Sequence, residues 1–465
     1  MSEKENRSII TMEQIDVTPK DLGFEVVTPH EGTDNPPYNR GKPYKVYGAI
    51  NPITGKEWVY PSFFTNELKF LAPAWISVDI PPNLDNINDY SWFYRNFPHD
   101  PTESPGPDYR LELAVVEPVN VPKNESLMQR LSDCWKLRKS ELNSIKNNVW
   151  SNLLTHNVKI LDAILDPLDQ DLAYKVFSHV HSTTLCEGLQ QGFQGEFWLR
   201  NYPVCKTKYA QLIYDRILSM AEFLGLCPVE CPEQGGPILF RMDLQELIKQ
   251  FGPRIQGILH AKINTIRFPR IQGRLIGGQF TEGVIDERQL TAFYVAIKID
   301  RLVKGNLQAK ICDLGAGNGL VIFWLYQFGY RNLWTVDLPH ISLLQAHLLA
   351  QEFGNNQIRL TGETHQAPIN ILSMDEFFSE SFDVLVNIDS FPEIDTVWAN
   401  KYLKHMDTSV KWFYSFNQET MRDDQIHIPS SIWNNTALQV VDRNRSFFRR
   451  GYIEELYYNP KKINS

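Results

Sequence analysis

The sequence has no long apolar run. Among its 465 residues, no stretch reaches the roughly 18 uninterrupted apolar residues that a membrane-spanning helix requires. The first ten residues, MSEKENRSII, are polar and charged, which is not the pattern of the apolar segment of a secretory signal peptide. We therefore expect a cytoplasmic protein with no membrane partner.

Cysteine is also scarce. The six cysteines are scattered along the chain, which indicates reduced thiols rather than a disulfide framework. Cys227 and Cys231 lie close together, but a structural zinc site usually needs four ligands, and the sequence has no second paired motif. His179 and His181 are two positions apart and would point to different faces of a helix. We predict no metal site from these residues.

Positive charge does not dominate the chain. The formal net charge is −9, and an acidic surface repels phosphate backbones, so a nucleic-acid partner is disfavoured. Two basic clusters nevertheless occur at residues 267–274 and 443–450. They are either solvated surfaces or strand ends, or a site for the phosphates of a nucleotide-linked or otherwise anionic substrate.

The chain is long enough for two or three structural units. Residues 1–120 combine a polar tail, a β-hairpin at residues 43–64 and irregular connections rich in Pro, Asp and Asn. Residues 121–270 are mainly helical. Helical segments are predicted at residues 125–145, 149–165, 170–185 and 209–225. We expect these first two regions to cover an acceptor cleft or to form the contact of a homodimer.

The first helix of that region shows the pattern most clearly. Leu127, Leu131 and Trp135 recur at four-residue steps and mark one helical face. Ser126 and Gln129 resemble a capping box and predict where the helix starts.

Residues 271–465 alternate between apolar strands and amphipathic helices. Alternation of this kind implies a parallel sheet covered by helices on both faces. Residues 437–441 and 452–458 flank the basic turn and predict an antiparallel strand pair. The predicted fold class is therefore α/β, with a Rossmann-like sheet that is parallel except for this C-terminal hairpin.

A glycine-rich turn follows the first strand of this region. Gly315, Gly317 and Gly319 lie where ligands bind in an open α/β sheet, beyond the carboxyl end of a strand. Glycine allows positive φ and a close approach of the backbone to a ligand. Dinucleotide-binding turns have the pattern G-x-G-x-x-G, whereas Leu320 follows the third glycine here. The pattern favours a sulfonium amino acid over a pyrophosphate, and so S-adenosylmethionine as the cofactor.

Acidic residues flank the turn. Asp313 can receive the ammonium group of the methionine moiety, and Asp337, at the end of the second strand, can accept hydrogen bonds from both ribose hydroxyls. Asp337 could instead be a helix N-cap, and Met374 and Asp375 either contact the adenine or only start a helix. The full predicted cofactor site is Asp313, Gly315, Ala316, Gly317, Gly319, Asp337, Leu338, Met374, Asp375 and Asn387.

Four motifs together resemble a known family. They are DLGAGNG, VDLPHISLLQAHLLA, DVLVNIDSFPEI and WFYSFNQET, between residues 313 and 420. The sequence is similar here to the bacterial sugar O-methyltransferases, and the resemblance spans residues 290–420. It implies S-adenosylmethionine as methyl donor and a sugar or glycosylated natural product as acceptor. The matching positions are Gly315 to Gly319, Asp337 to Pro339, Asn387, Ser390, Glu393 and Asn417; Asn318 departs from the family, which often has an aromatic residue there.

Methyl transfer to a hydroxyl requires alignment of the reactants and removal of a proton. The ends of the fourth and fifth strands carry Asp389, Glu393, Asn417 and Glu419. Either one acid is the general base while the others hold sugar hydroxyls, or the cluster binds a magnesium ion that polarises the acceptor. We favour the first and predict Glu393, Asp389 and Asn417 as the catalytic residues. Glu393 could instead provide favourable charge at a helix start.

Other functions remain open from the sequence. His340 and His427 are further candidate bases. The chain could methylate a non-sugar hydroxyl or amine, could be a nicotinamide-dependent oxidoreductase, or could be a catalytically silent binding module of the same fold.

Overall fold

The computed structural model describes residues 31–32, 44–45, 49–50, 57–58, 113–116, 123–144, 151–180, 183–186, 188–189, 203–227, 244–259, 266–269, 275–281, 283–394, 396–419, 432, 436–449 and 452–462. His181, Cys231 and His427 lie outside these residues. Within the described ranges, no helix has both the length and the apolar character needed to span a membrane.

Before residue 270, the described part of the chain contains the α-helices α1 (Glu125–Arg138), α2 (Ser151–Leu165), α3 (Gln170–Ser178), α4 (Pro203–Phe223) and α5 (Leu244–Gln256). The periodicity of α1 is confirmed, because Leu127, Leu131 and Trp135 are all buried. The predicted capping box at Ser126 is wrong. The helix begins at Glu125, so Ser126 already lies in the first turn, and the side chain of Asn124 accepts the bond from Leu127 N at 3.0 Å instead.

Short strands accompany these helices. They are β1 (Glu31–Gly32), β2 (Tyr44–Lys45), β3 (Ala49–Ile50), β4 (Glu57–Trp58), β5 (Leu113–Val116), β6 (Leu275–Phe280) and β7 (Gly283–Ile285). The antiparallel pairing of β3 with β4 confirms the predicted hairpin. Strands β5, β6 and β7 form an antiparallel sheet, which joins a segment of the first predicted region to the start of the third.

The main sheet has eight strands. They are β8 (Ile311–Leu314), β9 (Leu333–Val336), β10 (Ile358–Arg359), β11 (Ile369–Leu372), β12 (Phe382–Ile388), β13 (Val410–Gln418), β14 (Gln439–Arg445) and β15 (Tyr452–Tyr458). Their order is β10-β11-β9-β8-β12-β13-β15-β14. The first six are parallel, whereas β15 runs antiparallel to both β13 and β14. The predicted Rossmann-like sheet with an antiparallel C-terminal hairpin is confirmed.

Helices connect the strands of this sheet. They are α6 (Glu287–Leu302), α7 (Leu320–Gln327), α8 (Pro339–Phe353), α9 (Met374–Phe377) and α10 (Thr396–Ser409). A capping box fixes the start of α6: Asp286 Oδ1 accepts from Gln289 N at 2.7 Å, and Gln289 Oε1 accepts from Asp286 N at 3.1 Å. The central strands are apolar because both faces are covered, and all four residues of β8 are buried. The edge strand β14 is exposed along its whole length.

Helix α1 docks against the edge of the main sheet through an arginine. The guanidinium of Arg130 donates to both carboxylate oxygens of Glu363, at 2.6 and 2.8 Å. It also donates to the main-chain oxygens of Asn355 and Ile358, at 2.8 and 2.7 Å. This bidentate arrangement fixes the orientation of the helix relative to the sheet.

Candidate functional site

A cavity of about 200 Å³ lies at the carboxyl ends of β8, β9 and β12. This is where an open α/β sheet binds its ligands. Its walls come from the glycine turn, from the loops after β9 and β12, from the first turns of α6, and from Gly188, Leu189 and Arg449. The predicted site residues that line it are Asp313, Gly315, Ala316, Gly317, Asp337, Leu338, Asp389 and Glu393.

The glycine turn requires glycine at Gly315. Its φ is +70°, in the left-handed region, and Gly317 and Gly319 have φ of +54° and +72°. A Cβ on Gly315 would lie 2.0 Å from Oγ and 2.6 Å from Cβ of Ser390. Any side chain there would therefore collide with the loop after β12, and the turn can approach that loop only as glycine.

A buried glutamine supports the turn from below. Gln345 Nε2 donates to the oxygen of Gly317 at 3.0 Å, and Gln345 Oε1 accepts from Thr335 Oγ1 at 2.5 Å. Gly315 N donates to the oxygen of Val336 at 2.8 Å. Sequence reasoning gave Gln345 no role, because its position in the middle of α8 carries no motif.

The carboxylate of Asp337 closes the turn from the second strand. Oδ2 accepts from Gly317 N at 2.8 Å and Oδ1 accepts from Leu338 N at 2.7 Å. The N-cap position of α8 is Leu338, without a side-chain cap, so Asp337 does not fill the capping role. Burial raises the pKa of Asp337 to about 6, against the lowering effect of these bonds and of Arg138.

Asp313 lies beside it at the end of β8. It is 2% exposed, and burial, with a smaller contribution from the charge of Asp337, raises its pKa to about 8. Two neighbouring buried carboxylates disfavour each other's charge. A cationic group bound in the cavity would lower the pKa of both carboxyl groups and so stabilise their ionised forms.

The loop after β12 brings Asp389 into the cavity in a strained conformation. Its φ is +63°, which is costly for a non-glycine residue. Its Oδ2 forms an ion pair with Arg449 from the turn between β14 and β15. The guanidinium of Arg449 stacks over the ring of Tyr452 at 3.7 Å. Asp389 Oδ1 is buried and has no hydrogen-bond partner among the described residues.

Asn387 and Asn417 form a buried amide pair behind the cavity. Asn387 Nδ2 donates to Leu314 O and to Ser390 Oγ, both at 2.6 Å. Its Oδ1 accepts from Phe391 N at 3.0 Å and from Asn417 Nδ2 at 2.9 Å. Neither amide lines the cavity; both brace the strand ends that carry Asp313 and Asp389.

Met374, Asp375 and Glu419 are not among the lining residues either. Ser373 caps α9, and its hydroxyl accepts from Glu376 N at 3.0 Å. Met374 is buried in the core and Asp375 is exposed in the first turn of that helix. Glu419 forms an ion pair with Arg443.

The structure adds residues from α6 that the sequence did not indicate. Glu287 and Arg288 line the cavity, and Arg288 Nε lies 3.4 Å from Glu287 Oε1. Arg288 also donates to the oxygen of Gly188, and Asn318 Nδ2 donates to Leu189 O at 3.2 Å. The sequence pattern predicts a helix at residues 286–303, but nothing in that pattern places its start beside the glycine turn.

One of the candidate bases, His340, lies in the cavity. His340 lines the cavity and is buried, and burial, with a smaller contribution from Arg138, lowers its pKa to about 3. Histidine in this position is neutral at physiological pH.

Across the part of the chain that the structure describes, no group of three or more His, Cys, Asp or Glu side chains could hold a metal ion.

No known protein family and no curated protein matches the sequence. Several solved structures are similar in fold to part of the chain. The magnesium protoporphyrin IX methyltransferase ChlM from Synechocystis PCC 6803, with bound SAM, is 16% identical, covering 37% of this chain and 80% of that one with a TM-score of 0.28. The glycopeptide N-methyltransferase MtfA, complexed with S-adenosyl-L-homocysteine, is 10% identical, covering 36% and 90% with a TM-score of 0.28.

An O-methyltransferase family protein from Burkholderia thailandensis is 14% identical, covering 37% of this chain and 59% of that one with a TM-score of 0.26. At these values the likeness concerns the fold of part of the chain alone. What the cavity of this protein binds has to be argued from its own residues.

Proposed function

We propose that this protein is an S-adenosylmethionine-dependent O-methyltransferase whose acceptor is a hydroxyl of a sugar or glycosylated metabolite. One observation carries the proposal. The glycine turn, the buried carboxylate of Asp313 and the partly buried carboxylate of Asp337 meet in one cavity at the carboxyl edge of the sheet. A pair of acids is a poor site for a pyrophosphate and a good one for a ligand with an ammonium, a sulfonium and a ribose diol.

The cavity has a group for each end of such a cofactor. Asp313 would bind the ammonium, and Asp337 would accept the ribose hydroxyls. The carboxylate of the methionine moiety needs a cation, and the cavity offers two guanidiniums. Arg449 is buried and closely paired with Asp389, whereas Arg288 is more exposed and its contact with Glu287 is longer, at 3.4 Å. We therefore assign the carboxylate to Arg288, at the start of α6.

We place the acceptor at the wall of the cavity that is formed by the loop after β12. A bound cofactor supplies a methyl group activated by the sulfonium. The protein must orient an acceptor hydroxyl and take up its proton. Glu393 and Asp389 line this wall together with Ser390, so one carboxylate is the general base and the remaining groups hold acceptor hydroxyls. A guanidinium, that of Arg449, already occupies one face of Asp389, so we assign no magnesium ion to this carboxylate.

Support for a sugar acceptor comes from the motif resemblance between residues 313 and 420. Methylation of a non-sugar hydroxyl or an amine is the second candidate. A silent binding module is disfavoured because the glycine turn keeps all three left-handed glycines.

Calorimetry and product analysis test the proposal. We expect the purified protein to bind S-adenosylhomocysteine and not NAD⁺. Incubation with S-adenosylmethionine and a panel of glycosides, nucleotide-linked sugars, phenols and amines should add one CH₂ by mass to a glycoside or sugar. Absence of heat with S-adenosylhomocysteine would contradict the cofactor assignment. Modification of an amine or a sugar-free phenol alone would contradict the acceptor.

A further inference from the structure

The helical unit reaches the cofactor site through a buried arginine. Arg138 is the last residue of α1 and is 1% exposed. Its Nη2 donates to the main-chain oxygen of Asp337 at 3.0 Å. Glu141 holds the guanidinium from the other side, with Nε and Nη2 bonds of 3.0 and 3.2 Å. The contact joins residues that are 199 positions apart in the chain.

This contact acts on the residue whose side chain holds the glycine turn. The oxygen of Asp337 accepts from Arg138 and also from Ser342 Oγ at 3.2 Å. The carboxylate of the same residue accepts from Gly317 N. Because the peptide is held on one side and the carboxylate on the other, the direction in which the acid faces the cavity is fixed.

Charge adds a second effect. The groups around Asp337 are Asp313 on the neighbouring strand, His340 on the following helix, Tyr402 on α10, and the Arg138–Glu141 pair. Among these groups, Arg138 is the cation that lowers the pKa of Asp337. His340 is neutral because burial lowers its pKa to about 3. Asp313, which is 2% exposed, has a pKa of about 8, against about 6 for Asp337, where the bonds from Gly317 N and Leu338 N lower the pKa and Arg138 lowers it further.

We propose that Arg138 is a positioning residue of the cofactor site, by which the helical unit holds Asp337 in place and ionised for the ribose hydroxyls. The inference rests on the proposed function, since it assigns a role toward the same cofactor. It makes the helical unit part of the nucleoside-binding site rather than only a cover for the acceptor.

The chain offers a matched control. Arg130 stands on the same helix and also ties it to the main sheet, through Glu363 and two main-chain oxygens. Those contacts lie at the β10 edge, away from Asp337. Arg130→Met therefore loosens the docking of α1 but leaves Arg138 beside Asp337. Arg138→Met also loosens this docking, and in addition removes the cation beside Asp337.

The experiment is calorimetry with S-adenosylhomocysteine between pH 5.5 and 9 on the wild type, Arg138→Met, Arg138→Lys and Arg130→Met. We expect Arg138→Met to weaken binding at pH 7 by roughly tenfold or more. The pH at which affinity falls on the acid side should move up, because Arg138 lowers the pKa of Asp337. Arg138→Lys keeps the charge and should keep that pH near the wild-type value, so it decides the question if Arg138→Met does not fold.

The outcomes separate the two proposals. If Arg138→Met binds with wild-type affinity and pH dependence, or if Arg130→Met shifts the pH dependence equally, Arg138 has no positioning role and the proposed function stands. If the wild type fails to bind S-adenosylhomocysteine at every pH, both proposals are overturned.

Discussion

Arg449 and Asp389 form an ion pair that ties the C-terminal hairpin to the loop after β12. Arg449 is 8% exposed and lies in one of the two basic clusters of the sequence. That cluster could have been a solvated turn or an anion site. The side chain of Arg449 is neither solvated nor available to an anion, because it is buried and paired with the carboxylate of Asp389.

Breaking this pair should destabilise the protein. Arg449→Met leaves Asp389 in its strained conformation without a partner and removes the stacking on Tyr452. We expect a loss of about 2 kcal/mol in the free energy of unfolding, measured by urea denaturation. Asp389→Asn should also destabilise the protein, because it leaves the buried guanidinium of Arg449 without its carboxylate. The double variant should be more stable than the sum of the single losses predicts; strict additivity would show that the two groups do not interact.

Glu393→Gln tests the general base. A base in this position contributes roughly 10²- to 10⁴-fold to the rate, so the variant should lose methyl transfer to whichever acceptor the screen identifies. Affinity for S-adenosylhomocysteine should stay near the wild-type value. Full activity in the variant would remove Glu393 from the mechanism and leave Asp389 as the base.

Gly315→Ala should disrupt the glycine turn. The new Cβ would meet Ser390 at 2.0 Å in a left-handed backbone, which costs at least about 1–3 kcal/mol in strain before the collision is counted. Gly317→Ala is the matched control, since its Cβ would meet only Leu189 at 3.4 Å. We expect a larger fall in melting temperature and a larger loss of cofactor affinity for Gly315→Ala. Equal effects would contradict the collision argument.

Arg288→Ala tests the carboxylate end of the cofactor site. A charged hydrogen bond is worth about 1.5–3 kcal/mol, so affinity for S-adenosylhomocysteine should fall roughly 10- to 100-fold. Affinity for 5′-methylthioadenosine, which lacks the amino-acid group, should not change. Arg331→Ala, at an exposed position outside the cavity, provides the control. Equal losses for both ligands would place Arg288 elsewhere in the site.

Asp313 should make the stability of the ligand-free protein fall as the pH rises from about 4 to about 8. An unfolded aspartate titrates near pH 4, whereas Asp313 has a pKa of about 8 in the fold. At this residue the folded state therefore holds more of the proton than the unfolded chain does, and its contribution to stability falls with increasing pH. The difference in unfolding free energy between the wild type and Asp313→Asn should change in this direction across the window, while the exposed Asp375→Asn should follow the wild type. A pH profile of Asp313→Asn identical to that of the wild type would contradict the assignment.

Local patterns predicted many elements of the fold, but they missed α5 and the sheet of β5, β6 and β7. The apolar run of β8, the glycines after it and the four-residue periodicity of α1 are short-range signals, and all three are present in the structure. The start of α1 was misjudged because Ser126 and Asn124 both suit a helix start, and only the geometry shows which one accepts the bond.

The candidate site was harder to predict because several of its residues meet only through long-range packing. Arg138, Glu287 and Arg449 come from three different parts of the chain and belong to no motif. Asn387 and Asn417 do belong to motifs, yet their amides are used in bracing strand ends. A sequence motif shows that a residue type matters at a position but does not show whether its side chain faces the ligand or the scaffold.

The near-contact of Gly315 with Ser390 also constrains how the protein can change. One of these loops holds the proposed donor and the other faces the proposed acceptor, and the space between them has no room for one additional carbon. Enlarging either loop to admit a different acceptor would push directly on the donor. Altered acceptor preference should therefore arise through paired substitutions on both loops, or through residues of the outer wall that touch neither.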